Sequence, residues 1–282
     1  MSTPPLGLLL DVDGPLAGPG TRTVAPALLE DLARLLVAGI PVVLNTGRSV
    51  DFVGERLLGP LTAAGLPRGA RLHAVCEKGG LWTTAGAAEV HVDRDLAVPE
   101  ICHVLLAELL DGGYGDAMLI DAGKRTMATA EARTDVPADF YAERQQAFDA
   151  DLAERLSAAG LGVQLGDHHL PDADGRTPWR IDSSVIATDV ESVRAGKALG
   201  AARALDLLRT DGPLPHTWHS VGDSRSDYAM ADHLHALGAD VTHIDVGPLP
   251  PLDRPYPVRR VPGAGYEIAG AAHLRQLVTR LT

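Results

Sequence analysis

Two aspartates stand two residues apart, directly after a continuous apolar run near the start of the chain. Asp11 and Asp13 flank Val12, and Gly14 follows them. Alternate residues of an extended strand share a face, so the two carboxylates can begin on the same side of the chain, and Gly14 permits a sharp departure from the strand. Two close carboxylates repel each other unless a cation or proton relieves them, so the pair predicts a seat for a hard divalent ion such as Mg²⁺. A simple turn after a strand is the alternative explanation.

A second acidic turn lies near the other end of the sequence. Gly222–Asp227 reads Gly-Asp-Ser-Arg-Ser-Asp and follows a buried apolar run at Thr217–Val221. Asp223 and Asp227 are therefore further candidate metal ligands. The alternative for this turn is a helix cap, a position that aspartate and serine favour.

Three other residues carry groups that suit a phosphate. Thr46 lies in the turn after the second apolar run, where its hydroxyl and the neighbouring backbone amides, including that of Gly47, can hold a phosphate oxygen. Lys197 follows Gly196 near the start of a predicted helix and supplies positive charge, although a solvated lysine is the ordinary alternative. Arg48 either contacts substrate or serves as an arginine that caps local structure or pairs on the surface.

The candidates follow apolar runs that alternate with helical patterns. Strands are predicted over Leu6–Leu10, Ile40–Leu44, Arg71–Val75, Thr217–Val221 and Val241–Val246, and helices over about Ala25–Ala38, Asp51–Leu58, Val193–Leu208, Ser226–Leu237 and Ile268–Leu281. This alternation predicts an α/β fold, a Rossmann-like doubly wound parallel sheet with helices on both faces. Ligands of such sheets lie at the carboxyl ends of the strands, where the polar candidates are.

The sequence pattern changes between residues 81 and 188, where the predicted strands are shorter and more polar, with apolar and polar residues in alternation. We predict an inserted α+β domain over 81–188, whose helices span about Pro99–Leu110 and Pro137–Ala159, and a core formed by 1–80 and 189–282. Arg180 alternates with other polar residues along the predicted strand Trp179–Ile186, so it is a candidate for substrate binding, or simply part of a wet sheet face. Glu77–Gly80 lies at the crossing into the insertion and is either a hinge that lines the cleft or a glycine turn.

Composition excludes several classes of function. The 282 residues carry a formal charge of −12 with no local basic run, which disfavours binding to nucleic acid or to an anionic membrane. No apolar stretch approaches the roughly 20 residues needed to cross a bilayer. The first residues lack a basic leader, so we expect a cytoplasmic protein. Cys76 and Cys102 fit no metal spacing, and we expect two reduced thiols.

Four motifs in order give the sequence a more specific resemblance. Asp11–Leu16, Asn45–Ser49, Gly196–Lys197 and Gly222–Asp227 resemble the four motifs of haloacid dehalogenase phosphatases. The resemblance spans essentially the whole chain, and the insertion between the second and third motifs is similar to the large α/β cap of the sugar-phosphatase branch, which includes sucrose-phosphate and trehalose-phosphate phosphatases.

This resemblance implies a role for each matched residue. Asp11 would attack phosphorus and become a transient aspartyl phosphate, and Asp13 would exchange a proton with the leaving oxygen and then with water. Thr46 and Lys197 would neutralise the transferring phosphoryl group. The resemblance also implies an Mg²⁺ site made by Asp11, Asp223 and the backbone carbonyl of Asp13, with Asp227 supporting the metal or Lys197.

The expected activity is hydrolysis of a small phosphorylated metabolite, such as a sugar phosphate, by a monomer or homodimer. A phosphomutase with the same nucleophile is one alternative, and it would return phosphate to the substrate instead of releasing it. A silent binding or regulatory module on this fold is the other, although the six charged and hydroxyl residues that the chemistry needs are all present.

Overall fold

The structure is a computed structural model that describes residues 3–281. It divides into two compact units, one comprising the residues up to His91 together with those from Gly196 onward, and the other comprising Val92–Ala195. The predicted insertion begins at residue 81 and ends at residue 188, so both observed boundaries lie further along the chain. Residues 1, 2 and 282, which the predicted core includes, lie outside the described residues.

The strands of the described residues are numbered in chain order. They are β1 Gly7–Leu10, β2 Val42–Asn45, β3 Leu72–Cys76, β4 Leu81–Thr84, β5 His91–Val92, β6 Met118–Ile120, β7 Ala128–Ala132, β8 Val163–Leu165, β9 His168–Leu170, β10 Trp179–Ser183, β11 Ala187–Ser192, β12 Thr217–Gly222, β13 Asp240–Asp245 and β14 Val258–Arg259.

The α-helices are numbered in the same way. They are α1 Pro26–Val37, α2 Val50–Val53, α3 Gly59–Ala63, α4 Glu100–Leu109, α5 Ala138–Ala158, α6 Lys197–Asp211, α7 Tyr228–Ala236 and α8 Tyr266–Thr279. A π-helical turn over Gly54–Leu58 connects α2 to α3. Helix α6 begins at Lys197, four residues later than predicted, because the chain turns after β11 at Val193–Arg194 before it enters the helix.

The first unit contains a sheet in the order β14-β13-β12-β1-β2-β3-β4-β5. The strands from β14 to β3 are parallel, whereas β4 runs antiparallel to β3. Strand β1 is fully buried and lies between β12 and β2, so the turns that follow these three strands open at one edge of the sheet. The predicted α/β doubly wound class is confirmed. Because β4 pairs with this sheet, the core continues past the predicted boundary at residue 80.

The second unit is an α+β layer whose sheet has the order β6-β7-β11-β10-β8-β9. Most of its strand pairs are antiparallel, and β10 and β8 are parallel. Helices α4 and α5 pack on this sheet through one apolar cluster that includes Leu106, Phe148 and Val190. The single strand predicted at Trp179–Ile186 ends at Ser183, where the chain turns and returns as β11.

Among residues 3–281, every helix is either too short or too polar to span a lipid bilayer.

Phe148 and Phe140 provide a matched test of the core of the second unit. Both lie on α5, but Phe148 is fully buried and Phe140 is exposed. We expect Phe148→Ala to lower the free energy of unfolding by about 3–5 kcal/mol, because a large side chain leaves a cavity. Phe140→Ala should change it by less than about 1 kcal/mol. Urea unfolding followed by circular dichroism measures both, and equal losses would contradict this packing.

Candidate active site

The polar turns after β1 and β12 lie against each other. The Asp11 amide donates to the carbonyl of Val221 at 2.9 Å, so strand pairing continues to the first aspartate. Gly14 has a φ of +86°, and a Cβ added to it would stand 2.4 Å from the Cγ of Asp223. Only glycine allows both this left-handed backbone and this close approach. The sheet topology therefore brings together two acidic motifs that are far apart in the sequence.

A buried ammonium group joins the two motifs. The Nζ of Lys197 lies 2.6 Å from Oδ1 of Asp11 and 2.7 Å from Oδ1 of Asp227. It also donates to the backbone carbonyl of Asn45 at 2.9 Å. All of these groups are buried. An ammonium has three hydrogens and here meets three acceptors, so Lys197 is a buried, paired cation rather than a solvated lysine, and its contact with a phosphate stays a prediction.

Charge and burial shift the titration of this cluster. Burial works against the charged form of Lys197, but Asp11 and Asp227 outweigh it and raise the pKa of the ammonium above its ordinary value. Burial also works to raise the pKa of Asp227, but Lys197 and the hydrogen bonds from Ser224 hold it below its ordinary value. Asp227 is therefore the permanent anion that balances Lys197.

The other two carboxylates of the site shift in the opposite direction. Burial raises the pKa of Asp11 well above its ordinary value, and nearby carboxylates add to the rise while Lys197 opposes it. Burial and the charge of Asp227 raise the pKa of Asp223 to about 7. Both acids would ionise more readily beside a further positive charge.

Asn45 is a site residue that the sequence reasoning did not assign. Its Nδ2 donates to the carbonyl of Lys197 at 2.9 Å, while its own carbonyl accepts from the Lys197 ammonium. A Cβ on Gly200 would stand 1.9 Å from Oδ1 of Asn45, so the first turn of α6 packs directly on this amide. An amide residue at the end of a buried strand, one residue before Thr46, was the available signal.

Asp13 and Arg48 form an ion pair beside this cluster. Nε of Arg48 donates to Oδ2 of Asp13 at 2.8 Å, and Nη2 donates to Oδ1 at 2.7 Å. The guanidinium also lies 4.4 Å from the centre of the Phe52 ring and is buried. The sequence assigned Asp13 to catalysis and metal binding and Arg48 to substrate, and the structure places the two side chains together. The Asp13 carboxylate therefore pairs with Arg48, whereas the carboxylates of Asp11 and Asp227 pair with Lys197.

Hydrogen bonds of Thr46 hold the predicted phosphate-binding turn in place. The Thr46 amide donates to the carbonyl of Val75, and its Oγ1 accepts from the Arg48 amide at 3.1 Å. Thr46 is buried, while Gly47 is partly exposed. Arg180, the remaining predicted substrate-binding residue, belongs to the second unit, where its guanidinium contacts Glu191 at 2.5 Å and the carbonyl of Ala195. Its role in binding substrate stays a prediction.

Asp11, Asp223 and Asp227 provide a donor set that fits a metal ion. Each offers one carboxylate oxygen, and the three oxygens lie within 4.8 Å of one another. Oxygen donors of this kind suit Mg²⁺. Burial, with added repulsion from neighbouring carboxylates, raises the pKa of Asp11 and Asp223, and a bound cation would favour their ionised forms. The predicted set also included Asp13 through its backbone carbonyl, and this ligand stays a prediction, while the Asp13 side chain pairs with Arg48.

Solved structures share this architecture across nearly the full length of the chain. The C-terminal domain of trehalose-6-phosphate phosphatase from C. albicans has a TM-score of 0.67 and 13% identity, and covers 98% of this chain and 93% of its own. A haloacid dehalogenase-like hydrolase from Bacteroides thetaiotaomicron has a TM-score of 0.59 and 12% identity, with coverage of 96% and 98%. The chain has the haloacid dehalogenase-like hydrolase fold.

A third structure with this fold is the sucrose-phosphatase of Synechocystis in complex with sucrose and phosphate, with a TM-score of 0.51, 15% identity and coverage of 96% of this chain and 98% of its own. No protein-family model and no curated protein sequence matches the chain. The resemblance that the four motifs indicated is thus confirmed at the level of the fold. Sequence identities this low do not establish the activity, which depends on the residues of the site.

The titration of Asp223 predicts how pH and Mg²⁺ affect stability. With a pKa near 7 in the folded protein and near 4 when unfolded, the folded state keeps a proton that the unfolded state has lost, so stability falls as pH rises through this window. A cation held by the ionised acids opposes the loss. We expect the Mg²⁺-induced rise in Tm over chelator to grow between about pH 5 and pH 7.5.

The same measurement on Asp223→Asn is the control, because removal of this carboxylate should reduce both the Mg²⁺ effect and its growth with pH. Differential scanning fluorimetry in matched buffers provides the readout. An Mg²⁺ increment that is equal at the two pH values would contradict the role given to these aspartates.

Proposed function

We propose that this chain is a magnesium-dependent phosphomonoester hydrolase that acts through an aspartyl phosphate on Asp11. The observation that carries the proposal is the buried contact of Lys197 with Asp11 and Asp227, beside Asp223. An aspartate buried at a strand end, oriented by an ammonium and adjacent to further acids, has the properties of a nucleophile for phosphoryl transfer.

The first step uses the carboxylate of Asp11. Its Oδ1 accepts a hydrogen bond from the Val12 amide at 2.7 Å and contacts the ammonium of Lys197. These two contacts hold the carboxylate in one orientation. We therefore assign the attack to Oδ2. A bond forms between this oxygen and phosphorus while the bond from phosphorus to the leaving oxygen breaks. Asp13, once it has left Arg48 and taken up a proton from solvent, delivers that proton to the leaving oxygen, which departs as an alcohol.

The second step releases phosphate and restores the enzyme. A water molecule attacks phosphorus, the bond to Asp11 breaks, and Asp13 takes the proton of the water. Asp13 can serve in both steps only after its carboxylate leaves the guanidinium of Arg48. The ion pair is thus the resting arrangement, and Arg48 becomes available to the substrate when the pair opens.

Asp11, Asp223 and Asp227 are the residues that would hold Mg²⁺. The bound ion would supply positive charge that screens the phosphate from the acidic cluster and neutralises charge in the transition state. The protein provides the rest of the electrostatic support, because Thr46 and the amide of Gly47 lie in the turn next to Asn45, the residue that anchors Lys197.

A sugar phosphate or a similar small phosphorylated metabolite is the proposed substrate. Support comes from two structures with this fold, the C-terminal domain of a trehalose-6-phosphate phosphatase and a sucrose-phosphatase bound to sucrose and phosphate. The formal charge of −12 also disfavours a nucleic-acid substrate. Arg180 in the second unit remains the proposed contact to the substrate from that unit.

Phosphate release from a panel of sugar phosphates, nucleotides, phosphoglycolate and an aryl phosphate tests the proposal. We expect turnover with Mg²⁺ that disappears in chelator, and a fall in kcat of more than about 1,000-fold in Asp11→Asn, because the nucleophile is removed without a change in shape. Asp206→Asn is the matched control, since Asp206 is an exposed acid on α6, and it should keep wild-type activity.

Two results would contradict the proposal. Equal turnover by the wild type and Asp11→Asn would exclude Asp11 as the nucleophile. Transfer of phosphate between positions of a sugar without its release would indicate a mutase.

A further inference from the structure

The segment that follows β3 has a strained backbone at two consecutive residues. Glu77 and Lys78 have φ values of +49° and +52°, in the left-handed region that residues with side chains rarely adopt. Strain of this kind persists where the surrounding structure over-determines it, and it is concentrated at functional sites. The sequence left this segment open as either a hinge or a glycine turn.

Backbone hydrogen bonds explain why the strain is retained. The amides of Glu77 and Lys78 donate to the carbonyls of Arg48 and Thr46, at 3.1 and 2.9 Å. The carbonyl of Lys78 accepts from the Gly196 amide at 2.7 Å, one residue before Lys197. Lys78 therefore bridges the phosphate-binding turn and the start of α6, and its backbone is fixed by both.

The side chain of Lys78 runs across the phosphate-binding turn. A Cβ added to Gly47 would stand 3.5 Å from the Cε of Lys78. Every residue of 40–50 is buried except Gly47, which is partly exposed. Every residue of 72–81 is buried except Lys78, which is also partly exposed. The accessible part of each segment is thus the part that meets the other.

Lys197 leaves a need for another cation. Its three hydrogens already meet Asp11, Asp227 and the Asn45 carbonyl, so it cannot contact a phosphate without releasing one of them. The four aspartates of the acidic motifs, set against Lys197 and Arg48, sum to a formal charge of −2. A bound Mg²⁺ would only neutralise that sum, and a phosphate monoester then adds negative charge again.

The choice of lysine is itself informative. The chain has 25 basic residues, of which only Lys78, Lys124 and Lys197 are lysines. Two of them, Lys78 and Lys197, are close to each other, because the carbonyl of Lys78 accepts a hydrogen bond from the amide of Gly196, the residue before Lys197. A compact ammonium on a flexible stem fits a tetrahedral oxyanion above a glycine turn, whereas arginine needs room for its planar fork.

We infer that Lys78 is a phosphate-binding residue, whose ammonium contacts the phosphoryl oxygens of the substrate above Gly47 while Lys197 holds the nucleophile. This inference rests on the proposed function. It assigns the two lysines different tasks, since Lys197 organises carboxylates and Lys78 meets the anion that arrives.

Calorimetric titration of inorganic phosphate into Mg²⁺-loaded protein tests the inference without turnover. We expect Lys78→Met to weaken phosphate binding about 10-fold, which corresponds to about 1.4 kcal/mol. Lys78→Arg keeps the charge and should stay within about threefold of the wild type. Arg209→Met is the control, because this exposed cation on α6 pairs with Asp206 at the surface. It should leave phosphate affinity unchanged.

Lys78→Asn serves as a second charge-free variant, since asparagine tolerates the left-handed backbone, and it should lose as much phosphate affinity as Lys78→Met with an unchanged Tm. Wild-type affinity in both charge-free variants, equal loss in Lys78→Arg, or no phosphate binding by the wild type would overturn the inference. Turnover that does not depend on Lys78 would overturn it and keep the proposed function. Lys78-dependent phosphate binding without any turnover would overturn the function and keep the anion site.

Discussion

The ion triad of Lys197 with Asp11 and Asp227 is the interaction on which the rest of the site depends. Removal of the ammonium would leave two buried carboxylates without a counter-charge, a change that costs about 3–5 kcal/mol in buried pairs. Because Lys197 also donates to the carbonyl of Asn45, this one group ties the turns after β1, β2 and β12 to the start of α6. A cluster held this tightly costs little reorganisation during a reaction, which is the condition for electrostatic catalysis.

Close backbone packing makes that triad possible. Gly14 lies against Asp223, and Gly200 lies against Asn45, at distances that no side chain would permit. These contacts bring acids close enough to repel one another, and burial raises the pKa of Asp223 to about 7. The fold therefore stores unfavourable electrostatics at the carboxyl ends of its central strands. A divalent cation would relieve the repulsion among these carboxylates, and a phosphate would then balance the positive charge of the cation.

Much of the core could be predicted from the sequence because its signals are strong and local. Continuous apolar runs at Leu6–Leu10 and Thr217–Val221 predict buried parallel strands, and β1 and β12 lie there. The pairing of Asp13 with Arg48 could not be predicted, since it depends on the packing of a side chain on Phe52. The split of β10 from β11 and the position of β4 were missed for a related reason. Short polar strands take their pairing from neighbours that are distant in the sequence.

Direct detection of phosphate on Asp11 tests the central claim more sharply than any rate. Protein that is acid-quenched during turnover of an active substrate should yield a phosphorylated peptide by mass spectrometry. The modification should map to Asp11, disappear on treatment with hydroxylamine, as an acyl phosphate does, and be absent from Asp11→Asn. Steady turnover with no phosphate on Asp11, or phosphate on another residue, would contradict the account.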